Sequence, residues 1–110
     1  MAMSEEQKRK AEILEQYSIT CRYIEILKRV INKYHDAAFI EKLKKELYQQ
    51  EQRKFAIDTA INAVSDAEFK AILKYRYIDG LSIEYTGYKL YMSDKTIVRK
   101  TLKALEAVEI

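Results

Sequence analysis

Basic side chains recur along one face of the last helix that the sequence predicts. At about 100° per residue, this face carries Lys95, Thr96, Arg99, Lys100 and Lys103. A planar guanidinium grips O6 and N7 of guanine together, so Arg99 is the best candidate for a base contact. Lys100 and Lys103 suit phosphates, and Lys95 lies near the helix start, which enters the major groove in such readers. The pattern predicts contact with double-stranded DNA.

The opposite face of this helix is apolar, which predicts that it packs against a core. The apolar face consists of Ile97, Val98, Thr101, Leu102, Leu105 and Val108.

A second short helix precedes this one across the turn Tyr91-Met92-Ser93. Gly87 has no Cβ and would let two helices cross closely, while Ser93 is a good N-cap for the next helix. Tyr91 stands where such turns often have Gly, so we expect left-handed strain there or another turn shape. This layout favours a helix-turn-helix. Its wedge is predicted to hold Leu90, Met92 and Ile97. Its DNA-binding residues are predicted to be Ser93, Lys95, Thr96, Arg99, Lys100, Lys103, Lys89 and Tyr88.

Catalysis finds little support in the sequence. His35, the only histidine, lies at a predicted helix end and suits a cap, and Cys21 lies beside a helical seam where packing explains it. One histidine and one cysteine cannot build a zinc site, and two glycines are too few for a phosphate-binding loop. We therefore predict that the chain is not an enzyme, with no catalytic residues, no metal site and no cofactor.

Residues 4–64 carry the pattern of two long helices. Ser4 and Gln7 fit a capping box, and Asp36 can cap the second helix. Apolar residues of the first helix recur at alternating steps of four and three, as in a coiled coil. Because the link around His35 is short, we expect an antiparallel helical hairpin. Its first seam consists of Ile13, Tyr17, Thr20, Ile24, Leu27, Ile31 and Tyr34. Its second stripe consists of Ile40, Leu43, Leu47, Ile57, Ile61 and Val64.

Apolar residues outside these seams predict a further packing partner. They are Leu14, Tyr23, Val30, Phe39, Tyr48 and Phe55. The C-terminal segment or a second copy of the chain could cover them. We favour a homodimer formed through residues 4–64.

Three shorter helices are predicted after residue 64. Ser65-Asp66-Ala67-Glu68 fits a second capping box, and the helix that it starts is expected to run to Ile78 and to end at Asp79-Gly80. Ser82 and Ser93 can cap the two helices that follow. The chain is therefore predicted to be all-α, with a helical hairpin at 1–64 and a helix-turn-helix module at 65–110.

The composition suits a folded helical protein without membrane spans. The chain has 110 residues, no proline, two glycines and a net charge of +3 from 20 basic and 17 acidic side chains. No stretch approaches the roughly 20 apolar residues that a membrane helix needs, and the polar first ten residues show no secretory signal. A single cysteine suits a reducing compartment. These features predict a cytoplasmic location and no membrane partner.

Four short motifs in the last third carry a family resemblance. They are Arg76-Tyr77-Ile78-Asp79-Gly80-Leu81-Ser82, Lys89-Leu90, Ser93-x-x-Thr96-Ile97 and Ala104-Leu105. The run from Glu68 to Leu105, about a third of the chain, resembles region four of sigma-70-type transcription factors. It is similar above all to the small phage and prophage regulators of the ArpU and RinA late-gene activator type. Thr86 and Tyr91 depart from that pattern, which usually has an aliphatic residue and a glycine there.

The resemblance implies DNA binding in transcriptional control, a bacterial host cell and RNA polymerase as a possible further partner. Together with the basic face, it predicts a sequence-selective regulator that binds double-stranded DNA. Two alternatives stay open: a phage small terminase subunit for DNA packaging, or a sigma-like adaptor that binds protein and has no DNA role. The mass in solution separates a dimer from a terminase ring, and the salt dependence of DNA binding separates a reader from an adaptor.

Overall fold

A computed structural model of the chain describes residues 2–110, and all regular structure in that range is helical. The all-helical prediction is thereby confirmed. A π-helical turn, Lys74–Ile78, directly follows the third of five α-helices. These helices are α1 (Glu5–Lys33), α2 (Ala37–Asn62), α3 (Ala67–Leu73), α4 (Ile83–Leu90) and α5 (Asp94–Ala107).

Each α-helix begins at a side chain that accepts a hydrogen bond from the amide three residues later. These N-caps are Ser4, Asp36, Asp66, Ser82 and Ser93. A cap of this kind satisfies an amide that has no partner inside the helix and is worth about 1 kcal/mol. Four of the five positions agree with the sequence prediction. For α3 the prediction was wrong by one residue, because the Asp66 carboxylate accepts from the Phe69 amide at 2.9 Å.

The helices α1 and α2 lie side by side and run in opposite directions. Lys28, late in α1, borders a surface groove with Glu51 of α2, whereas Ile13, early in α1, borders another with Ile57. The described residues extend over 52 × 25 × 24 Å. On the face of α1 toward α2, the buried seam residues are Tyr17, Thr20, Ile24 and Leu27.

Of the other predicted seam residues, Ile13 and Ile31 are half-buried, and Tyr34 is 49% exposed. The helix ends at Lys33, and the extended backbone of Tyr34 takes it away from the seam. Its ring instead packs edge-on against Phe39, with the centroids 5.8 Å apart. A heptad count continues past the end of a helix, and for that reason it placed Tyr34 wrongly.

One hydrophobic cluster joins the long helices to the C-terminal ones. Leu14 of α1, Ile61 of α2, Leu73 of α3 and Leu105 of α5 are all completely buried in it. Each such side chain contributes about 1.5–3 kcal/mol relative to an exposed one. Leu14 lay outside the predicted seam, and the C-terminal helices are the partner that covers it.

The predicted third helix differs from the observed one after Leu73. The amide of Asp79 donates to the carbonyl of Lys74 at 2.9 Å, a step of five residues that defines a π-helical turn. The turn ends at Ile78, and Gly80 follows two residues later with a φ of +69°, which suits a residue without a Cβ. Leu73 and Tyr77, on either side of the widening, both belong to the core cluster. The helix widens where it packs against the core. The 3.6-residue periodicity of the sequence carries no information about this tertiary packing.

Within residues 2–110, no helix combines the length and the apolar character required to cross a bilayer.

Candidate functional site

The site is built around the junction of α4 and α5. The last residue of α4 is Leu90, and Tyr91 then adopts a left-handed conformation, with φ 56° and ψ 45°. The Met92 amide donates to the Gly87 carbonyl at 2.8 Å, and Asp94 begins α5. A non-glycine residue in this region is strained by roughly 1–2 kcal/mol. The sequence left open either left-handed strain at Tyr91 or another turn shape, and the structure has the strained turn.

Gly87 lies where the chain passes closest to itself. A Cβ at this position would stand 2.5 Å from the Met92 carbonyl oxygen and 3.5 Å from Cγ1 of Ile97. Since real Cβ atoms essentially never approach backbone oxygen so closely, only glycine fits without movement. The absence of a Cβ at Gly87 thus leaves room for the turn carbonyl of Met92 and for the side chain of Ile97 in α5.

Three cations of α5 project away from the core. Lys95, Arg99 and Lys103 are exposed and recur every four residues, so they form one row along the helix. None of the three makes an ion pair within residues 2–110. We call these three residues the cationic row. The buried face of the same helix consists of Ile97, Thr101, Leu102, Ala104 and Leu105.

The start of the cationic row borders an open depression of about 560 Å³ lined by Ser93, Lys95, Thr96, Val98 and Arg99. Ser93 Oγ accepts from the Thr96 amide at 3.2 Å and donates to Thr96 Oγ1 at 2.9 Å. These two hydroxyls, predicted to contact DNA, therefore first of all fix the beginning of α5. The depression brings them beside Lys95 and Arg99.

Lys100 is placed differently from the other cations of α5. Its Nζ lies 2.5 Å from the Glu68 carboxylate of α3, and the side chains are 26% and 39% exposed. A predicted phosphate contact of Lys100 therefore has to compete with an internal partner. No local pattern could predict this pair, since 32 residues separate its members.

Lys89 and Tyr88 are exposed on α4, on the other side of the turn. They line a depression of about 470 Å³ together with Gly87, Tyr91 and Met92. Tyr88 is 79% and Tyr91 is 96% exposed, an unusual position for such large rings. Both predicted contact residues of α4 thus lie next to the turn that joins the two helices.

Two buried side chains of α1, Lys10 and Gln7, hold the far end of α5. The sequence indicated only the capping role of Gln7 and gave Lys10 no role. Lys10 Nζ donates to the Val108 carbonyl at 2.6 Å and to the Glu106 carbonyl at 3.2 Å. A lysine suits this place because the last carbonyls of a helix have no partner and carry partial negative charge. The available signal was periodicity, because it places the polar residue Lys10 on the side of α1 that faces the core.

Gln7 makes the second link between α1 and α5. Its Nε2 donates to the Leu102 carbonyl at 3.0 Å and to the Glu106 carboxylate at 2.9 Å. Its Oε1 accepts from the Ser4 amide at 2.8 Å, which completes the predicted capping box. One side chain thus starts α1 and positions α5.

Two polar groups behind the junction have no hydrogen-bond partner within residues 2–110. Thr86 is completely buried, and its Oγ1 is one of them. The other is Nε of Arg76, in the π-helical turn, although Nη1 of this residue donates to the Leu81 carbonyl at 2.9 Å. A buried hydroxyl without a partner costs about 1–3 kcal/mol. Thr86 is therefore a local weakness of the fold.

Two tyrosines of the core are held neutral. Burial first of all, and then the nearby Asp58 carboxylate, raise the pKa of the Tyr17 hydroxyl. Burial also raises the pKa of Tyr77. Neither lies at the cationic row, and among the described residues no group of three or more His, Cys, Asp or Glu side chains could hold a metal ion.

No family model, no curated protein and no solved structure matches the chain. Any inference about function therefore starts from the geometry of α4, α5 and the residues that hold them.

Proposed function

We propose that the chain is a sequence-selective regulator of transcription that binds double-stranded DNA, of phage or prophage origin, in the cytoplasm of a bacterial host. The observation that carries this proposal is the cationic row. Lys95, Arg99 and Lys103 stand exposed on a helix whose opposite face is anchored in the core. Three aligned cations on a rigid helix match the spacing and the charge of a phosphate-lined groove.

In this proposal, α4 and α5 act as a helix-turn-helix, and α5 enters the major groove. Arg99 contacts a base edge, because it lies near the beginning of α5 and its planar fork matches guanine. Lys103, one turn further from the helix start, holds a phosphate. Lys89 and Tyr88 of α4 contact the backbone on the other side of the turn. The chain performs no catalysis, and its role is to occupy a site.

The helical pair at residues 4–64 serves as a scaffold and as the place where two copies of the chain meet. Gln7 and Lys10 support the first role, because they tie α1 to the end of α5. Exposed apolar residues support the second, since Ile19 is 60% and Ile26 is 48% exposed. A dimer would present two α5 helices to one duplex, and RNA polymerase could then be contacted from the remaining surface.

A protein-binding adaptor is the second candidate, favoured by the tyrosines around the turn. Tyr85, Tyr88 and Tyr91 are 64%, 79% and 96% exposed, and tyrosine is enriched where proteins meet. The net charge of +3 is also mild for a DNA-binding protein.

Binding to a random duplex library, measured by fluorescence anisotropy at increasing salt, separates the two candidates. For a DNA reader, the logarithm of the affinity falls linearly with the logarithm of the salt concentration, because counterions return to the duplex. Repeated rounds of selection from the library also enrich a common sequence. An adaptor shows little binding at any salt concentration. Weak binding without enrichment would reject the sequence-selective function, and the mass in solution would separate a dimer from a terminase-like ring.

A further inference from the structure

A row of apolar side chains on α1 remains exposed. Ile19 is 60%, Tyr23 is 40% and Ile26 is 48% exposed, and Val30 is half-buried. Steps of four, three and four residues place them in one sector of about 60° around the helix. We call these four residues the outer seam. The buried residues of the same stretch, such as Ile24 and Leu27, lie about 100° away around the helix.

The spacing of the outer seam is that of a coiled coil. Apolar residues that alternate at steps of four and three form the strip that another helix covers, with β-branched residues well suited to it. The large exposed apolar residues of α2 are Phe39, Tyr48 and Phe55. Tyr48 and Phe55 share one face two turns apart, but the exposed Glu51 lies between them, so they form no continuous apolar strip. The outer seam is therefore a specific surface and not scattered exposure.

The charges beside the outer seam change sign from one end to the other. Glu12 and Glu15 lie exposed before Ile19, whereas Arg29 and Lys33 lie exposed around and beyond Val30. An antiparallel partner of the same sequence would bring the acidic end of one copy against the basic end of the other. A parallel partner would place Lys33 against its own counterpart, which is unfavourable. The charge pattern thus favours an antiparallel second copy over a parallel one.

We propose that a second copy of the chain docks on the outer seam with α1 antiparallel to α1. In this arrangement Ile19 packs against Val30 of the other copy, and Tyr23 packs against Ile26, around a two-fold axis near the middle of the row. Such an axis makes both copies use the same surface, as in most homodimers. The observations that support this docking come from α1 alone. Only its use, which is to present two α5 helices to one duplex, rests on the proposed function.

Two matched substitutions test the surface. Ile26→Gln removes a central residue of the outer seam, which is 48% exposed, whereas Tyr48→Gln removes an apolar residue elsewhere that is 65% exposed. Analytical ultracentrifugation over a range of concentrations should show a dimer whose dissociation constant rises about tenfold to a hundredfold with Ile26→Gln and hardly changes with Tyr48→Gln. Circular dichroism checks that both variants keep their helices, as expected at exposed positions. A chain that stays monomeric, or a dimer weakened only by Tyr48→Gln, would overturn the proposal.

Disulfide trapping tests the direction, in a Cys21→Ala background that removes the native thiol. Mixed Ile19→Cys and Val30→Cys chains should form a heterodisulfide, since antiparallel α1 helices bring these two positions together. Either variant alone should cross-link poorly. Efficient cross-linking of Ile19→Cys to itself would show a parallel pair and would contradict the proposal. Because neither experiment contains DNA, their failure would leave the proposed DNA binding untouched, and a failure of DNA binding would leave the dimer untouched.

Discussion

Lys10 and Val108 are 98 residues apart in the sequence, yet the ammonium group of one donates a 2.6 Å hydrogen bond to the carbonyl of the other. Lys10 is only 8% exposed. This contact fastens the end of α5 to the first turns of α1, while the turn after α4 fixes its beginning. The cationic row is therefore held at both ends, as a surface that recognises a fixed shape requires.

Lys10→Met is expected to destabilise the chain by about 1–2 kcal/mol, since it keeps the aliphatic stem and removes two hydrogen bonds from a charged donor. Urea unfolding followed by circular dichroism measures the change. Lys8→Met is the matched control, because Lys8 is exposed and its loss should change stability by less than about 0.5 kcal/mol. Equal effects of the two substitutions would show that the contact to α5 contributes nothing.

Thr86→Val should stabilise the chain by about 1 kcal/mol. The substitution keeps the shape of the side chain and replaces a buried hydroxyl that has no partner within residues 2–110 by a methyl group. Thr101→Val is the control, since Thr101 is buried as well but donates to the Ile97 carbonyl at 2.7 Å. The melting temperature should therefore rise with Thr86→Val and fall with Thr101→Val. A lower melting temperature for Thr86→Val would mean that its hydroxyl has a partner in solution.

Gly87→Ala should destabilise the chain by about 1–3 kcal/mol, although alanine favours helices, because the new Cβ collides with the Met92 carbonyl oxygen. Gly80→Ala gives the comparison. Gly80 has a positive φ and open space around it, so alanine there meets only backbone strain of about 1 kcal/mol. Urea unfolding ranks the two variants. A milder effect at Gly87 than at Gly80 would refute the close crossing of α4 and α5.

The helices and the exposed cations could be read from the sequence, because caps and periodicity are local signals. Ser93, for example, has its predicted role, and Arg99 is exposed as expected. The π-helical turn could not be predicted, since tertiary packing surrounds it. The same holds for Lys10 and Gln7, whose partners lie far away in the sequence. Of the outer seam, the sequence pointed to Tyr23 and Val30 but not to Ile19 and Ile26, because the heptad pattern of α1 already accounted for that helix.

Glu68→Gln should strengthen binding to all duplexes, because it releases Lys100 from its carboxylate partner and adds a cation to the surface of α5. The slope of the logarithm of affinity against the logarithm of salt concentration should become steeper by about one unit. Glu25→Gln removes the same charge from the exposed surface of α1, away from α5, and should leave that slope unchanged. If both variants have the same slope, Lys100 takes no part in binding.

Arg99→Ala tests the central claim most directly, through its affinity for a selected duplex and for a scrambled one. We expect the affinity for the selected duplex to fall by about 1–3 kcal/mol and that for the scrambled duplex to fall much less, because a base contact is lost. Lys103→Ala should weaken both alike, and Lys44→Ala, on the exposed surface of α2, should weaken neither. An equal loss on both duplexes with Arg99→Ala would contradict base recognition, and no loss on either would contradict DNA binding by α5.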